Sequence, residues 1–220
     1  MNARRAIAAA VAGGIAAAYI GAGRSRQLRW GATGEEVDAV LAGDDLITAP
    51  DLTATRAVTI HAPADLIWPW IAQLGQGRGG FYTYDWLENL LGLDMRSADR
   101  VVSEWQDIQA GDQIRLAADV GLAVAIAEPG RALVIRGGIP MGAVPCPYDC
   151  TWGWVLREQP DGTTRLVVRE RYAYTRRWAP FLLEPVQVIS FVMTQRMLRG
   201  IKARAERSSL SGAPLKAGQR

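Results

Sequence analysis

The chain predicts an α+β fold in which an antiparallel sheet curves around one long C-terminal helix. Three observations carry that prediction. Between residues 120 and 174 apolar residues recur with a period of two, interrupted by turn signals at Pro129-Gly130 and Pro160-Asp161-Gly162. From about Pro180 to Arg207, the residues Leu182, Val186, Ile189, Met193, Met197 and Ile201 recur at steps of three or four. Ahead of both lies a short strand, two short helices and a stretch dense in aromatic residues. A sheet bent around the last helix leaves a cavity between them.

Residues 1–30 read as an apolar segment with basic flanks. Ala6 to Gly23 is 18 residues without a charge, preceded by Arg4-Arg5 and followed by Arg24. A membrane span takes about 20 residues, roughly 17–25, and this one is rich in Ala and Gly. Three readings stand: an uncleaved membrane anchor, a signal peptide removed on export, or an Ala-rich helix lying on the surface. Membrane association through a single N-terminal anchor is the expectation. The arginines on its two sides balance, so the side of the membrane is not set.

Residues 31–53 read as a polar linker with a short helix near Gly34–Leu41, opened by Thr33. Residues 54–207 form the main domain. Its first strand is Arg56–Ile60. Pro63-Ala64-Asp65 then starts a helix, with Pro tolerated and Asp favourable at the positive end. Leu66, Ile67, Trp70, Ile71 and Leu74 give it an apolar face, and Pro69 lies inside it. A second short helix covers Tyr84–Leu91. Val120, Leu122, Val124 and Ile126 alternate with Gly121, Ala123, Ala125 and Ala127, so one face of that strand is bulky and the other nearly bare. Arg131–Arg136 is the next strand. Tyr148, Cys150, Trp152, Trp154 and Leu156 share a face of the one after. In Arg165–Tyr174, Leu166, Val168, Glu170, Tyr172 and Tyr174 oppose Arg165, Val167, Arg169 and Arg171. Phe181, Val188, Phe191 and Val192 widen the buried stripe of the last helix. Residues 208–220 read as a disordered tail.

Charge narrows the function classes. The net charge is +3, but residues 31–195 hold 13 basic and 21 acidic residues, and both ends are basic. An acidic body argues against nucleic acid, which needs a basic surface. Basic ends beside an apolar segment suit an anionic membrane surface, or in the C-terminal case the solvated face of a helix. One histidine, His61, and two cysteines, Cys146 and Cys150, make no convincing zinc set, and free thiols are expected. Neither a metal nor a cofactor is expected.

The richest segment is Gly79 to Asp112. Phe81, Tyr82, Tyr84, Trp86 and Trp105 stand there in a polar, glycine-flanked frame. Rings of this kind supply rigid apolar area together with hydrogen-bonding edges, which suits the wall of a cavity or an aromatic mini-core. Candidate cavity residues from this segment are Tyr82, Tyr84, Trp86 and Trp105. Trp152 and Trp154, Glu170 and Tyr172, and Ile189 and Met193 complete the set from the strands and the last helix. Glu170 on an inward face is a possible acid or base, or the partner of an arginine such as Arg136 or Arg115. Gly75, Gly77 and Gly80 match G-x-G-x-x-G, but a helix precedes them where a dinucleotide site needs a strand. A mobile loop at a cavity mouth is the expectation there. His61 has no partner that the sequence identifies.

The order of elements, with ATRAVTIHAPADLIWPWIAQLGQGRGGFYTYDWLENLLGLD, EWQDIQAGDQIRL and GTTRLVVRERYAY, resembles the SRPBCC superfamily over about Thr55 to Arg207. That group holds START lipid-transfer domains, polyketide cyclases and pollen-allergen-like proteins. The likeness is to bacterial members of unassigned activity. The resemblance implies a helix-grip fold with a deep, mostly apolar cavity. It implies no catalytic residue, because the superfamily has no fixed catalytic set. The expected function is binding or carriage of a hydrophobic small molecule, a lipid, sterol or polyketide-like compound, near a membrane. The alternative is a cyclase or dehydratase acting on such a ligand through Glu170 and a tyrosine.

Overall fold

The computed structural model describes residues 23–139 and 145–210. Six strands form one antiparallel sheet: β1 (Leu52–Ile60), β2 (Gln113–Ala117), β3 (Val120–Glu128), β4 (Ala132–Gly137), β5 (Tyr148–Glu158) and β6 (Thr164–Tyr174). Their spatial order is β1-β6-β5-β4-β3-β2. Among the described residues the helices are α1 (Arg24–Leu28), α2 (Gly34–Asp38), α3 (Ala64–Ala72), α4 (Asp85–Leu90) and α5 (Ala179–Leu210). At 1.5 Å per residue the 32 residues of α5 span roughly 48 Å. The core lies between the sheet, α3 and the second half of α5, where Ile60, Ile67, Ile71, Trp154, Leu166, Leu198 and Ile201 are fully buried. This is the helix-grip arrangement.

The period-two pattern of β6 holds as read. Val168 and Glu170 face the core side, while Arg165, Val167 and Arg169 face outward beside Thr59, Ala57 and Thr55 of β1. In β3 the alternation breaks at a bulge between Val124 and Ile126. One extra residue shifts the faces, so Leu122 and Val124 are buried, and beyond the bulge Ala127 packs on the core.

Three expectations change. The segment before β1 is no free linker. The α2 helix is closed by a capping box, Thr33 Oγ1 accepting from the Glu36 N–H and the Glu36 carboxylate from the Thr33 N–H. Leu41 packs against Ala57 and Val167. Arg169 then fixes the segment by donating to the carbonyls of Glu36, Val37 and Ala39, at 2.6–2.9 Å, and to Asp44 at 2.6 Å. Carbonyls at a helix C-terminus lack intrahelical partners, and a guanidinium satisfies several at once. Arg165 holds Glu36 at 2.6 Å, and Arg171 holds the Ile47 carbonyl at 2.9 Å. The outer arginines of β6, legible only as an outward face, are therefore the clamps.

The second change concerns α5. Its inward positions in the first half are Leu183, Gln187 and Thr194, followed by Met197, Leu198, Ile201 and Ala205. Phe181, Val186, Val188, Ile189 and Val192 are exposed. Apolar residues surround this half of the helix, so periodicity alone leaves its rotation open. The rotation is set by a buried ion pair that needs Gln187 and Thr194 as partners. The helix also continues through Ser208 to Leu210, past the start of the expected tail. Third, the loop Gly75–Gly80 is closed on itself by two backbone hydrogen bonds of 3.0 Å, and Gln76 N–H donates to Arg115 O. Gly75, Gly77 and Gly80 all have positive φ, at 124°, 75° and 68°. The glycines serve a tight turn anchored to β2.

Residues 1–22, 140–144 and 211–220 lie outside the described residues, and with them the apolar N-terminal segment and most of the expected tail. Among the described residues no helix is long and apolar enough to cross a membrane.

Candidate functional site

A cavity of about 310 Å³ opens between the sheet and the first half of α5. Strands β2 and β3 supply Leu116 and Leu122, β5 supplies Tyr148, Cys150 and Trp152, and β6 supplies Glu170 and Tyr172. The aromatic segment supplies Phe81, Thr83, Glu88 and Met95. The α5 helix supplies Leu183, Val186, Ser190, Met193, Thr194 and Met197, and Ile139 completes the lining. Phe81 stacks on Trp152, with centroids 5.7 Å apart and planes 16° apart, so the aromatic segment and the sheet meet at this wall.

The polar groups gather on one side. Arg56 of β1 and Glu170 of β6 lie on the same inner face, because Arg56 is paired with Val168 and Ala54 with Glu170. Arg56 Nη1 reaches Glu170 Oε1 at 2.6 Å, with side chains 1% and 4% exposed. The Glu170 carboxylate also accepts from Tyr172 Oη (2.9 Å), Ser190 Oγ (2.9 Å), Thr194 Oγ1 (3.4 Å) and Gln187 Nε2 (3.4 Å). The Arg56 guanidinium donates onward to the Gln27 carbonyl at 3.1 Å and to Gln187 Oε1 at 3.3 Å. A buried charge pair persists only when its remaining donors and acceptors are satisfied, and these residues supply that. Glu170 is thus the partner of Arg56. Arg136 instead pairs with Asp149 at 2.7 Å on the surface.

Burial sets the protonation of the neighbouring groups. The Tyr172 phenol is pushed far above its ordinary value by burial and by the Glu170 charge. Burial likewise raises the Cys150 thiol, whose Sγ donates to the Gly137 carbonyl at 2.9 Å. Tyr148 is pushed up to about 12 by burial, with the two cysteines adding. All three stay protonated at neutral pH. The Glu88 carboxyl is raised by burial, against the hydrogen bond from Thr83 Oγ1 at 2.7 Å. Cys146 and Cys150 are free thiols.

Of the ten residues singled out from sequence, Trp152, Glu170, Tyr172 and Met193 line this cavity. Tyr82 lies in the core beside it. Its hydroxyl donates to Trp70 O and accepts from Gln73 Nε2, both at 3.0 Å. Trp154 is fully buried behind Trp152, with centroids 4.5 Å apart. Tyr84 precedes α4 with its ring under Arg196. Trp105 sits on a 3-10 turn whose carbonyl accepts from Arg78. Trp86 and Ile189 are exposed, at 68% and 62%. The segment contributes Phe81, Thr83, Glu88 and Met95 to the lining, while α4 turns Trp86 outward. His61 is exposed and pairs with Glu206 at 2.9 Å.

Sequence reasoning missed Arg56, Gln187, Ser190, Thr194 and Glu88. Two signals pointed to four of them, and none to Glu88. An arginine inside an otherwise β-forming run requires a buried partner when that strand is flanked. Gln187, Ser190 and Thr194 recur at steps of three and four on one face of an otherwise apolar helix, which marks a polar stripe as surely as leucines mark an apolar one.

No protein-family model and no curated protein matches the chain. Solved structures similar to it include a protein from Mesorhizobium loti at 14% identity, covering 71% of this chain and 98% of that one with a TM-score of 0.43. A hypothetical protein from Helicobacter pylori shares 11% identity over 76% of this chain and 96% of its own, with a TM-score of 0.47. The Zhui aromatase/cyclase from a Streptomyces species shares 14% identity over 74% of this chain and 99% of its own, with a TM-score of 0.42.

Proposed function

We propose that this chain is a member of the SRPBCC superfamily that holds or carries a hydrophobic small molecule, a lipid, sterol or polyketide-like compound, between the sheet and α5. The observation that carries this reading is the cavity itself. Its size of about 310 Å³ is at the small end of ligand sites. Its walls are mainly Leu, Ile, Val, Met, Phe and Trp side chains, with polar groups limited to Thr83, Glu88, Tyr148, Cys150, the Trp152 indole N–H and the Glu170 cluster. An apolar chamber with a few converging polar groups is the form small-molecule sites take. The test is native mass spectrometry of the full chain purified from its host, followed by solvent extraction. A defined non-covalent mass is expected, and Met193→Trp, which fills the chamber from α5, is expected to lose it while melting within a few degrees of the parent. An apo mass with no uptake from a mixed lipid extract overturns the reading.

A second reading rests on the Tyr172 to Glu170 hydrogen bond in the cavity wall: a cyclase or dehydratase that uses this pair for proton transfer. Glu170 already accepts from five groups, which favours a fixed polar anchor over a mobile base. Tyr172→Phe separates the two, because it removes the proton donor and leaves the Arg56–Glu170 pair in place. A carrier keeps most of its binding of the extracted ligand, whereas an enzyme loses turnover of it.

Membrane association belongs to the same proposal. Arg24, next after the apolar residues 6–23, pairs with Glu184 of α5 at 2.7 Å. Phe181 and Val188 lie three before and four after Glu184, on its side of the helix, and are exposed. An apolar segment joining the domain beside an exposed apolar helix face supports a lipid surface at this end.

A further inference from the structure

We propose that the cavity selects hydrophobic ligands whose polar head donates hydrogen bonds and is uncharged or cationic, an alcohol or an amine, and that it rejects carboxylates. This inference rests on the binding reading above and names the ligand chemistry for the same site.

The charge of the lining is the first argument. Among the described lining residues stand two carboxylates, Glu88 and Glu170, and no Lys, Arg or His. Residues 140–144, Pro-Met-Gly-Ala-Val, carry no charge either. Arg56 neutralises Glu170 from behind. It is not among the lining residues, its side chain is sealed from solvent, and its nitrogens are engaged by Glu170, Gln27 and Gln187. A ligand carboxylate would therefore meet negative charge with no cation in reach. It would lose its hydration without compensation and be repelled by Glu88.

The direction of the hydrogen bonds is the second argument. The hydroxyl protons of Tyr172, Ser190 and Thr194 point at Glu170, that of Thr83 at Glu88, and the Cys150 thiol at the Gly137 carbonyl. Five of the donors on this wall are committed to internal acceptors, and what they leave toward a ligand is lone pairs. A donating head matches that surface. The indole N–H of Trp152 is buried without a partner among the described residues. The Tyr148 hydroxyl is a second donor on this wall. A hydroxyl head can accept from either while donating to the carboxylate side, and a carboxylate lacks that last contact. Burial already pushes the Glu88 carboxyl upward, with the Asp85 charge adding and Thr83 opposing, so the site resists the negative charge it has.

The test is calorimetric titration of the full chain at neutral pH with three probes of one chain length, 1-decanol, decylamine and decanoate, each below its aggregation limit. Decanol and decylamine are expected to bind at least about 10-fold tighter than decanoate, the ratio expected for one uncompensated charge contact of about 1.4 kcal/mol. Glu88→Gln keeps the acceptor for Thr83 and is expected to bring decanoate to within about 3-fold of decanol. Equal binding of the three, a preference for decanoate, or a preference that Glu88→Gln leaves untouched overturns the inference while the cavity remains a binding site. Binding of none of the three overturns both the inference and the carrier reading.

Discussion

Arg56 and Glu170 show how much one pair of residues decides. They are 114 positions apart in the chain and 2.6 Å apart in space. Removing one partner leaves a desolvated charge, so Arg56→Met is expected to cost about 3–5 kcal/mol in urea denaturation. The double variant Arg56→Met/Glu170→Leu is expected to cost at least about 1 kcal/mol less than the sum of the two single changes, because neither charge is then left alone. Additive behaviour in that cycle would mean that the pair contributes nothing specific.

Two other carboxylates predict opposite pH dependences. At Glu36 burial acts upward, but the hydrogen bonds from Arg165 and the Thr33 N–H prevail and hold its pKa below the ordinary 4.5. Its contribution is present above 4.5 and lost as the pH falls through the depressed value. Glu88 is raised by burial, so its contribution is present below 4.5 and lost as the pH rises through the raised value. Thermal melts between about pH 3 and pH 7 check both signs. Glu36→Gln is expected to flatten the acid side of the stability curve. Glu88→Gln is expected to remove a loss that sets in on the neutral side.

At the scale of elements, the contact of α5 with the aromatic segment depends on Gly200. A Cβ there would lie 2.7 Å from the Tyr82 carbonyl oxygen and 2.8 Å from its Cβ. Tyr82 cannot yield easily, since it is fully buried at φ 58° with its hydroxyl bonded on both sides. Alanine favours a helix interior over glycine by about 1 kcal/mol, yet forcing α5 away from Tyr82 costs about 1–3 kcal/mol. Gly200→Ala is therefore expected to lower the denaturation midpoint, and a raised midpoint would show that the helix slides without penalty. Element identity was legible because strand and helix periods differ. The extent of β1 was not, since Leu52–Thr55 gain strand conformation from pairing with Arg169–Tyr172. Nor was the place of α2, whose docking depends on arginines more than 120 residues later.

For the molecule as a whole, the apolar surface is concentrated on α4 and the first half of α5, with Trp86, Leu90, Leu91, Phe181 and Ile189 each more than 60% exposed. Patches of this kind mark surfaces that meet a lipid or a partner. If residues 1–22 anchor the protein, the full chain is expected in the membrane fraction and the chain starting at Gly23 in the supernatant. Equal partition of the two would remove the anchor from the proposal. Both forms are expected to share one melting transition to within a few degrees, because residues 23–47 are held to β1, β6 and α5 by their own hydrogen bonds and ion pairs.

The sequence by itself determined the α+β class, the antiparallel sheet around a last helix, and which residues of β6 share a face; of its ten cavity candidates Trp152, Glu170, Tyr172 and Met193 stand at the cavity. A period of two or 3.6 records which residues share a face, and that information is local. Only the tertiary structure decided which face of α5 turns inward, which arginine neutralises Glu170, and that residues 29–47 cover the back of the sheet. A helix apolar on several sides has no preferred rotation until a buried charge pair demands Gln187 and Thr194. The choice of Arg56 among the arginines follows from strand register, which sets neighbours across the sheet and leaves no trace in local spacing.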